Sequence, residues 1–356
     1  MEAIIVAGGL GTRMRPLSVG HPKHLLPVAG IPFLTHQISK LALCGVRRVL
    51  LATSYRAADF EPVFGDGSAW GLQLDYVTET APLGTAGALR NVAGLLRSGP
   101  DDPVIALNGD ILSGHDIARQ VEQHTAERAD ASLHLVEVAD ARAFGSVPTD
   151  EQGRVTAFLE KSPDPVSNQV NAGCYVFRRR VLEDIPAGRP VSVERETFPA
   201  LLAEGARVRG YAESAYWLDV GTPLSLVRCS ADVVRGVART PSYTRPPGER
   251  CLLDGAQVDE RAVVRAGSTV GSRTKVGPGA VVEGSVLFDD AVVEADAVVR
   301  DSVVAAHAVV GRRTALDEVV VGENARIGAD CELRAGARVW CGAQLADGAI
   351  RFSTDV

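Results

Sequence analysis

The 356-residue chain has no close pair of cysteines, no long apolar run and no excess of positive charge, and each absence removes a class of function. Its six cysteines (Cys44, Cys174, Cys229, Cys251, Cys331 and Cys341) are scattered, so neither a zinc site nor a dithiol redox motif is expected. They read as free, mostly structural thiols. No uninterrupted apolar segment approaches the roughly 18 residues that a membrane span needs. Residues 1–6 lack the basic stretch, apolar core and cleavage site of a signal peptide. A cytoplasmic protein with no membrane partner is expected. Thirty-seven Lys and Arg against 44 Asp and Glu leave a net charge of -7, which argues against a nucleic-acid partner. The absence of any Gly-Lys pair excludes a Walker A loop. A dinucleotide fingerprint also fails, because Met14 stands where a third glycine is needed and Ser54 and Tyr55 replace the acidic residue that closes the next strand.

What is present is 46% hydrophobic residues arranged in two periodicities. In the first two-thirds, strand patterns (3–6, 49–53, 104–107) alternate with helical ones, such as 33–44 with its stripe of Leu34, Ile38 and Leu41. This rhythm predicts an α/β fold with a Rossmann-like, mainly parallel sheet, whose ligands lie beyond the carboxyl ends of the strands. Residues 236–250, GVARTPSYTRPPGER, read as a linker between a domain at 1–235 and a second at 251–356. In the second, aliphatic residues recur every six positions: Val258, Val264, Val270, Val276 and Val282, then, after a dropped residue at Leu287, Val304 and Val321, onward to Leu345. The three drops are 17 residues apart, as in a coil of three short faces with one face a residue short. An α-helix advances 100° per residue and cannot hold a stripe at period six, whereas a parallel β-helix can.

The first strand feeds Gly8-Gly9-Leu10-Gly11-Thr12-Arg13, and glycines there let backbone N–H groups form a nest for phosphate oxygens. Arg13, and Lys23 in HPKHLLP, are placed to neutralise charge growing on a departing pyrophosphate. A tight turn and two solvated surface charges are the plainer alternatives. Asp110 and Asp219 each end an apolar segment and together offer the hard oxygen ligands of a Mg²⁺ ion; read singly, each fits an Asx turn or helix cap.

In order along the chain, GGLGTRMRPL, PKHLLPVAGIP, ETAPLGTAGAL, NGDIL, FLEK, VNAGCYVF and WLDVGTP, followed by the hexads, resemble the sugar-1-phosphate nucleotidyltransferases. Within that family VSVERETFP and the tail AIRFS are most similar to the actinobacterial GDP-mannose pyrophosphorylases. The resemblance implies a nucleotidyltransferase domain followed by a left-handed β-helix of hexapeptide repeats, with Mg²⁺ as cofactor. It implies that Ala7, Gly8, Gly9, Gly11, Thr12, Arg13, Glu79, Gly84, Thr85, Asn108 and Gly109 bind the nucleoside triphosphate. Arg13, Lys23, Asp110 and Lys161 are implied to be catalytic, and Asp110 and Asp219 to hold the metal. Gly145, Glu160, Lys161, Asn171 and Gly173 are implied to bind the sugar phosphate.

Glu79 is implied to read the base. Guanine presents N1–H and its 2-amino group side by side, which a carboxylate accepts together, whereas thymine and uracil suit an amide; an acceptor-rich base is also penalised by a carboxylate. GTP is therefore the expected donor, with mannose 1-phosphate or a close hexose or cyclitol phosphate as acceptor. Two departures bear on the acceptor: His24 stands where a proline is common, and Ser146 where many members place valine. Four alternatives stay open: a thymidylyl- or adenylyltransferase, a bifunctional enzyme whose β-helix is an acyltransferase using His307, a silent subunit that senses nucleotide sugar, and, for Glu79 itself, an exposed strand-end glutamate. A homo-oligomer assembled through the β-helix is expected.

Overall fold

A computed structural model describes residues 1–53, 56–142, 144–159 and 163–351. They form two compact units: Met1–Gly9 with Gln37–Trp217, and Leu10–His36 with the chain from Leu218 onward. Segment 10–36, which follows the first strand in sequence, thus belongs to the same unit as the C-terminal repeats.

The first unit is built on a seven-stranded sheet. Its strands are β1 (Glu2–Ala7), β2 (Arg48–Thr53), β3 (Gln73–Thr78), β4 (Pro103–Asn108), β5 (Ala131–Glu137), β6 (Gln169–Arg178) and β7 (Val208–Ala212), in the order β7-β5-β6-β4-β1-β2-β3. All neighbours pair in parallel except β6, which runs antiparallel to both β4 and β5. The sequences AIIVA, VLLAT and VIALN are near-continuous apolar runs because central parallel strands are buried on both faces. Helices α1 (Phe33–Leu43), α2 (Gly84–Ala93) and α3 (Ile117–Ala126) follow strands, and from Gln37 onward α1 belongs to this unit. The chain moves from β1 to β2 and β3 on one side, then returns to β4 on the other. The β1/β4 junction is therefore the switch point at which ligands bind in open sheets of this kind. The core contains Ile4, Leu50, Leu133, Tyr175 and Phe177.

In the second unit the hexads form a left-handed parallel β-helix. Two sheets have six short strands and the third has five, every pairing parallel. The aliphatic residues of the repeat point inward: Val270, Leu287, Val304 and Val321 are at most 1% exposed. Corner residues Arg273, Asp290, His307 and Asn324 all adopt left-handed φ between 57° and 59°. Each costs about 1 kcal/mol for a residue with a Cβ, offset by the backbone ladder that every coil continues. His307 is one of these exposed corner positions. The short face turns through Gly284, Asp301 and Glu318, again at positive φ, just before each dropped residue. Helix α4 (Pro223–Val234) starts with a capping box in which the Thr222 side chain and Ser225 satisfy each other's backbone N–H. No helix of the described residues is long and apolar enough to cross a membrane.

Candidate functional site

In the first unit, β1 ends at Ala7 and passes into Gly8 and Gly9, while β4 ends at Asn108 and turns through Gly109 and Asp110. The two exits are joined: Gly109 N donates to Val6 O at 2.9 Å. Because β6 runs the other way, its first residues reach this same carboxyl edge, with Leu107 paired to Cys174 and Gly173 beside Asn108. Gly173 has φ +74°, and a Cβ there would fall 2.9 Å from Asn108 Nδ2. Only glycine fits so close an approach without displacing that amide. The Asn108 Oδ1 is buried with no partner among the described residues.

Glu79 follows β3, its N–H donating to Thr53 O at 2.9 Å. Its side chain is 7% exposed, and one oxygen lies 3.4 Å from where a Gly8 Cβ would be. The carboxylate accepts a long hydrogen bond of 3.4 Å from Leu83 N. Burial outweighs that bond and raises its pKa. A buried, weakly solvated carboxylate against the glycine turn gains from any ligand that presents paired donors. Gly84 and Thr85 open α2, and a Cβ on Gly84 would meet Val191 O at 2.7 Å, which ties this turn to the segment before Glu194.

The other end of the edge is polar. Asn171 donates from Nδ2 to Tyr175 Oη and to Glu194 Oε1, both at 2.8 Å, and its Oδ1 accepts from Gly173 N at 3.0 Å. Trp217 Nε1 donates to Ala172 O at 3.0 Å, and the Trp217 ring meets Phe144 edge-on at 5.6 Å. Gly145 stands against Leu159 O, 2.9 Å from where its Cβ would be. Ser146 is buried and donates to Ser167 O at 2.9 Å, so it serves the loop's own structure. Glu194 was not singled out from the sequence, although it stands inside VSVERETFP; its hydrogen bond to Asn171 is what marks it. Glu160 and Lys161 lie outside the described residues, as does the end of the AIRFS tail.

Beneath this edge, Gln37 Nε2 donates to Asn108 O at 2.9 Å and to Ile111 O at 2.7 Å, bracketing the turn that carries Asp110. Lys40 Nζ donates to Ser113 O at 2.5 Å, and burial lowers its pKa. Neither residue was selected from the sequence, where both read as the polar side of a helix.

The remaining candidates belong to the second unit. Gly11 takes φ +61°, and a Cβ there would stand 3.3 Å from Lys23 Cβ, so the turn and Lys23 are neighbours. Thr12 and Arg13 occupy the 3-10 turn Thr12–Met14 that follows, with both side chains outward and Met14 buried. A Cβ on Gly221 would lie 2.6 Å from the Arg13 guanidinium and 3.0 Å from an Asp219 carboxylate oxygen, so both groups converge on the space this glycine leaves open. His24 is buried, 2% exposed.

Among the described residues, no group of three or more His, Cys, Asp or Glu could hold a metal by itself. A magnesium ion asks for less: one or two carboxylates, with substrate phosphates and water completing an oxygen shell. Asp110, in the first unit, and Asp219, in the second, each carry a donor of that chemistry.

Two family descriptions match the chain: Nucleotidyl transferase over residues 2–236 and GMPPB C-terminal domain over 248–337. A mannose-1-phosphate guanylyltransferase of Mycobacterium tuberculosis is 53% identical over 357 residues, covering 100% of this chain and 99% of that protein. The mannose-1-phosphate guanylyltransferase catalytic subunit beta of Drosophila pseudoobscura pseudoobscura is 33% identical over 77% of this chain and 72% of its own length. Among solved structures, HddC from Yersinia pseudotuberculosis complexed with GMP-PN aligns with a TM-score of 0.56 and 28% identity, covering 64% of this chain and 97% of that one.

Proposed function

The chain belongs to the Nucleotidyl transferase family, and from that premise we propose that it is a guanylyltransferase that joins GTP and mannose 1-phosphate into GDP-mannose with release of pyrophosphate. The observation that carries the choice of base is the buried Glu79 carboxylate against Gly8. Guanine supplies the two adjacent donors that this carboxylate lacks. The choice of mannose rests on the named relatives, and the amide and carboxylate of Asn171 and Glu194 are suitable partners for sugar hydroxyls.

In the reaction, an oxygen of the sugar 1-phosphate attacks the α-phosphorus of the triphosphate in line with the departing oxygen. The bond from the α-phosphorus to that bridging oxygen breaks, and pyrophosphate leaves. The second pKa of a phosphate monoester is about 6, so the nucleophile is already dianionic near neutral pH and needs no general base. The protein's work is to hold two mutually repelling anions together. Backbone N–H groups of the glycine turn cradle the triphosphate, Arg13 and Lys23 neutralise the departing pyrophosphate, and Lys161 is the cation we assign to the sugar phosphate. Asp110 and Asp219 are the carboxylates we assign to Mg²⁺, which when bound supplies further charge neutralisation at the phosphates. We assign the β-helix a structural and oligomerising role.

The test is a matrix of initial rates of pyrophosphate release over four nucleoside triphosphates and a panel of sugar 1-phosphates. GTP with mannose 1-phosphate should be fastest, and Glu79→Gln should erode the preference for guanine by about 10-fold or more. A different nucleotide in first place, or an unchanged ranking in Glu79→Gln, overturns the base assignment. Consumption of acetyl-CoA would instead support an acyltransferase, and silence with every pair a sensing subunit.

A further inference from the structure

The outward face of one β-helix sheet carries a column of buried valines. Val286, Val303 and Val320 stack in register, and the next residue in that register is Arg338. Where three coils place a valine at most 5% exposed, the fourth places a long cationic side chain. Its coil is also lengthened: Val303 to Val320 spans 17 residues but Val320 to Arg338 spans 18, with Ala335 and Gly336 both at positive φ.

The Arg338 guanidinium donates to Arg13 O at 3.0 Å and to Arg15 O at 2.5 Å. These two carbonyls are the ones that the local turn leaves over. In that segment the carbonyls of Gly11, Thr12, Met14 and Pro16 accept from Met14, Arg15, Leu17 and Val19 N–H, at 2.9 to 3.3 Å. Nearby corners of the β-helix touch the same segment: Cys341 Sγ lies 3.7 Å from Pro16 O, and Glu323 pairs with His21 at 3.6 Å. Both bonds leave one nitrogen, Nη1, whose two N–H groups lie in the rigid guanidinium plane and so fix orientation as well as distance, whereas a lysine ammonium rotates freely.

We propose that Arg338 is a positioning residue for nucleotidyl transfer: by holding the carbonyls of Arg13 and Arg15, the β-helix sets where the Arg13 guanidinium points. This rests on the reading of Arg13 as the cation that acts on pyrophosphate. It assigns the β-helix a part in the chemical step that its repeat pattern alone does not suggest. Misplacing a catalytic group by about 1 Å can cost up to about 100-fold in rate.

The experiment is a double-mutant cycle on the full-length protein, with Arg338→Ala, Arg13→Ala and the pair, plus Arg338→Lys. Arg338→Ala should lower kcat by about 10-fold or more while KM for the sugar phosphate changes by less than about 2-fold and the melting temperature stays put. Arg338→Lys should recover part of the loss. In the Arg13→Ala background, Arg338→Ala should have no further effect. The inference is overturned if Arg13→Ala is impaired while Arg338→Ala turns over normally, or if Arg338→Ala costs the same in both backgrounds, as general structural support would. Full activity in Arg13→Ala would instead refute the reading of Arg13 itself, a separate result. Should Arg338→Ala melt below the assay temperature, Arg338→Lys carries the same cycle.

Discussion

The β-helix and the sheet fill their interiors with opposite materials, although the β-helix's unit also buries His24 and His36 outside the coils. The β-helix core is aliphatic from Val264 to Val339, with the Cys331 thiol as its one ionisable group, and its buried polar residues are serines and threonines. The sheet unit buries His115, His124 and His134 together with Gln37 and Gln120. The rings of His115 and His134 stack at 3.8 Å with 11° between planes, and Lys40 approaches His115. Both ring nitrogens of His134 are buried without a partner among the described residues. The contrast follows from what each interior must support. A coil whose neighbours above and below satisfy its backbone needs only shape inside. A strand end that must leave a turn open for ligands needs side chains beneath it to take up the carbonyls that the turn exposes.

The largest break in this contrast is a charge on the β-helix axis. Val304→Asp places a carboxylate among Leu287, Leu316 and Val321 with nothing to pair it, at a cost above about 4 kcal/mol. The coils should unfold in circular dichroism or proteolysis at temperatures where the wild type is intact. A folded variant with an unchanged melting temperature would mean that the axis admits water.

Acid should strike the other unit. Burial lowers His115 well below its usual range, His124 to about 4 and His134 to about 3, with neighbouring positive charge from Lys40 contributing at His115 and His134. In the unfolded chain these side chains titrate near 6.5. Between that value and the folded one, the unfolded chain binds protons that the folded chain refuses. Stability is thus complete above pH 6.5 and falls as pH drops toward 4, by about 2 kcal/mol for each of His124 and His134 at pH 5. The β-helix interior has no such group, but its unit buries His36, lowered to about 4 by burial, so a melt at pH 5 should lower the sheet unit's transition more than that of the unit with the coils. His134→Phe, which keeps a flat ring against His115, should remove about 2 kcal/mol of that loss at pH 5. An equal shift in the variant would place the acid sensitivity elsewhere.

The same contrast explains what could be read from the chain alone. The hexads were legible because one residue in six faces an axis that never changes, so burial is written into a local period. Asn108 and Asp110 were legible because they close an apolar strand, and strand ends of a parallel sheet are where ligands bind. Glu79 follows the mixed strand QLDYVT and stands out only through the family's pattern. Arg338 was not legible. Its partners are 323 and 325 positions away, and an arginine in a repeat reads as solvated surface. Gln37 and Lys40 failed for the reverse reason, being polar residues of a helix whose polar side faces protein. Segment 10–36 reads as the continuation of β1, because sequence order suggests neighbours that compactness does not respect.

Gln37 provides a finer test of the polar interior. Gln37→Leu is close in volume but removes the donor shared by Asn108 O and Ile111 O. Leaving buried carbonyls unpaired costs about 1–3 kcal/mol, and the turn bearing Asp110 loses its brace. Turnover should fall about 10-fold, more than the modest loss of stability explains at assay temperature. Normal kcat in a variant with a lowered melting temperature would confine Gln37 to the fold.

The smallest effect expected is on the outside of the coils, where charge is abundant and its contribution slight. Arg273 forks onto both oxygens of Asp290 at 2.8 and 2.6 Å, and Arg313 does the same to Asp330 at 2.7 Å, one coil apart along each edge. These pairs have ideal geometry and are fully in water, so solvent screens them and their side-chain entropy opposes them. Arg273→Ala should leave the melting temperature unchanged within error, at low and at high salt. The left-handed corner survives because the Arg273 N–H donates to Asp254 O at 3.1 Å, a bond the side chain does not make. A measurable loss that vanishes at high salt would show that the external ladder stabilises the coils alongside the aliphatic axis, and the two units would then differ less than their interiors suggest.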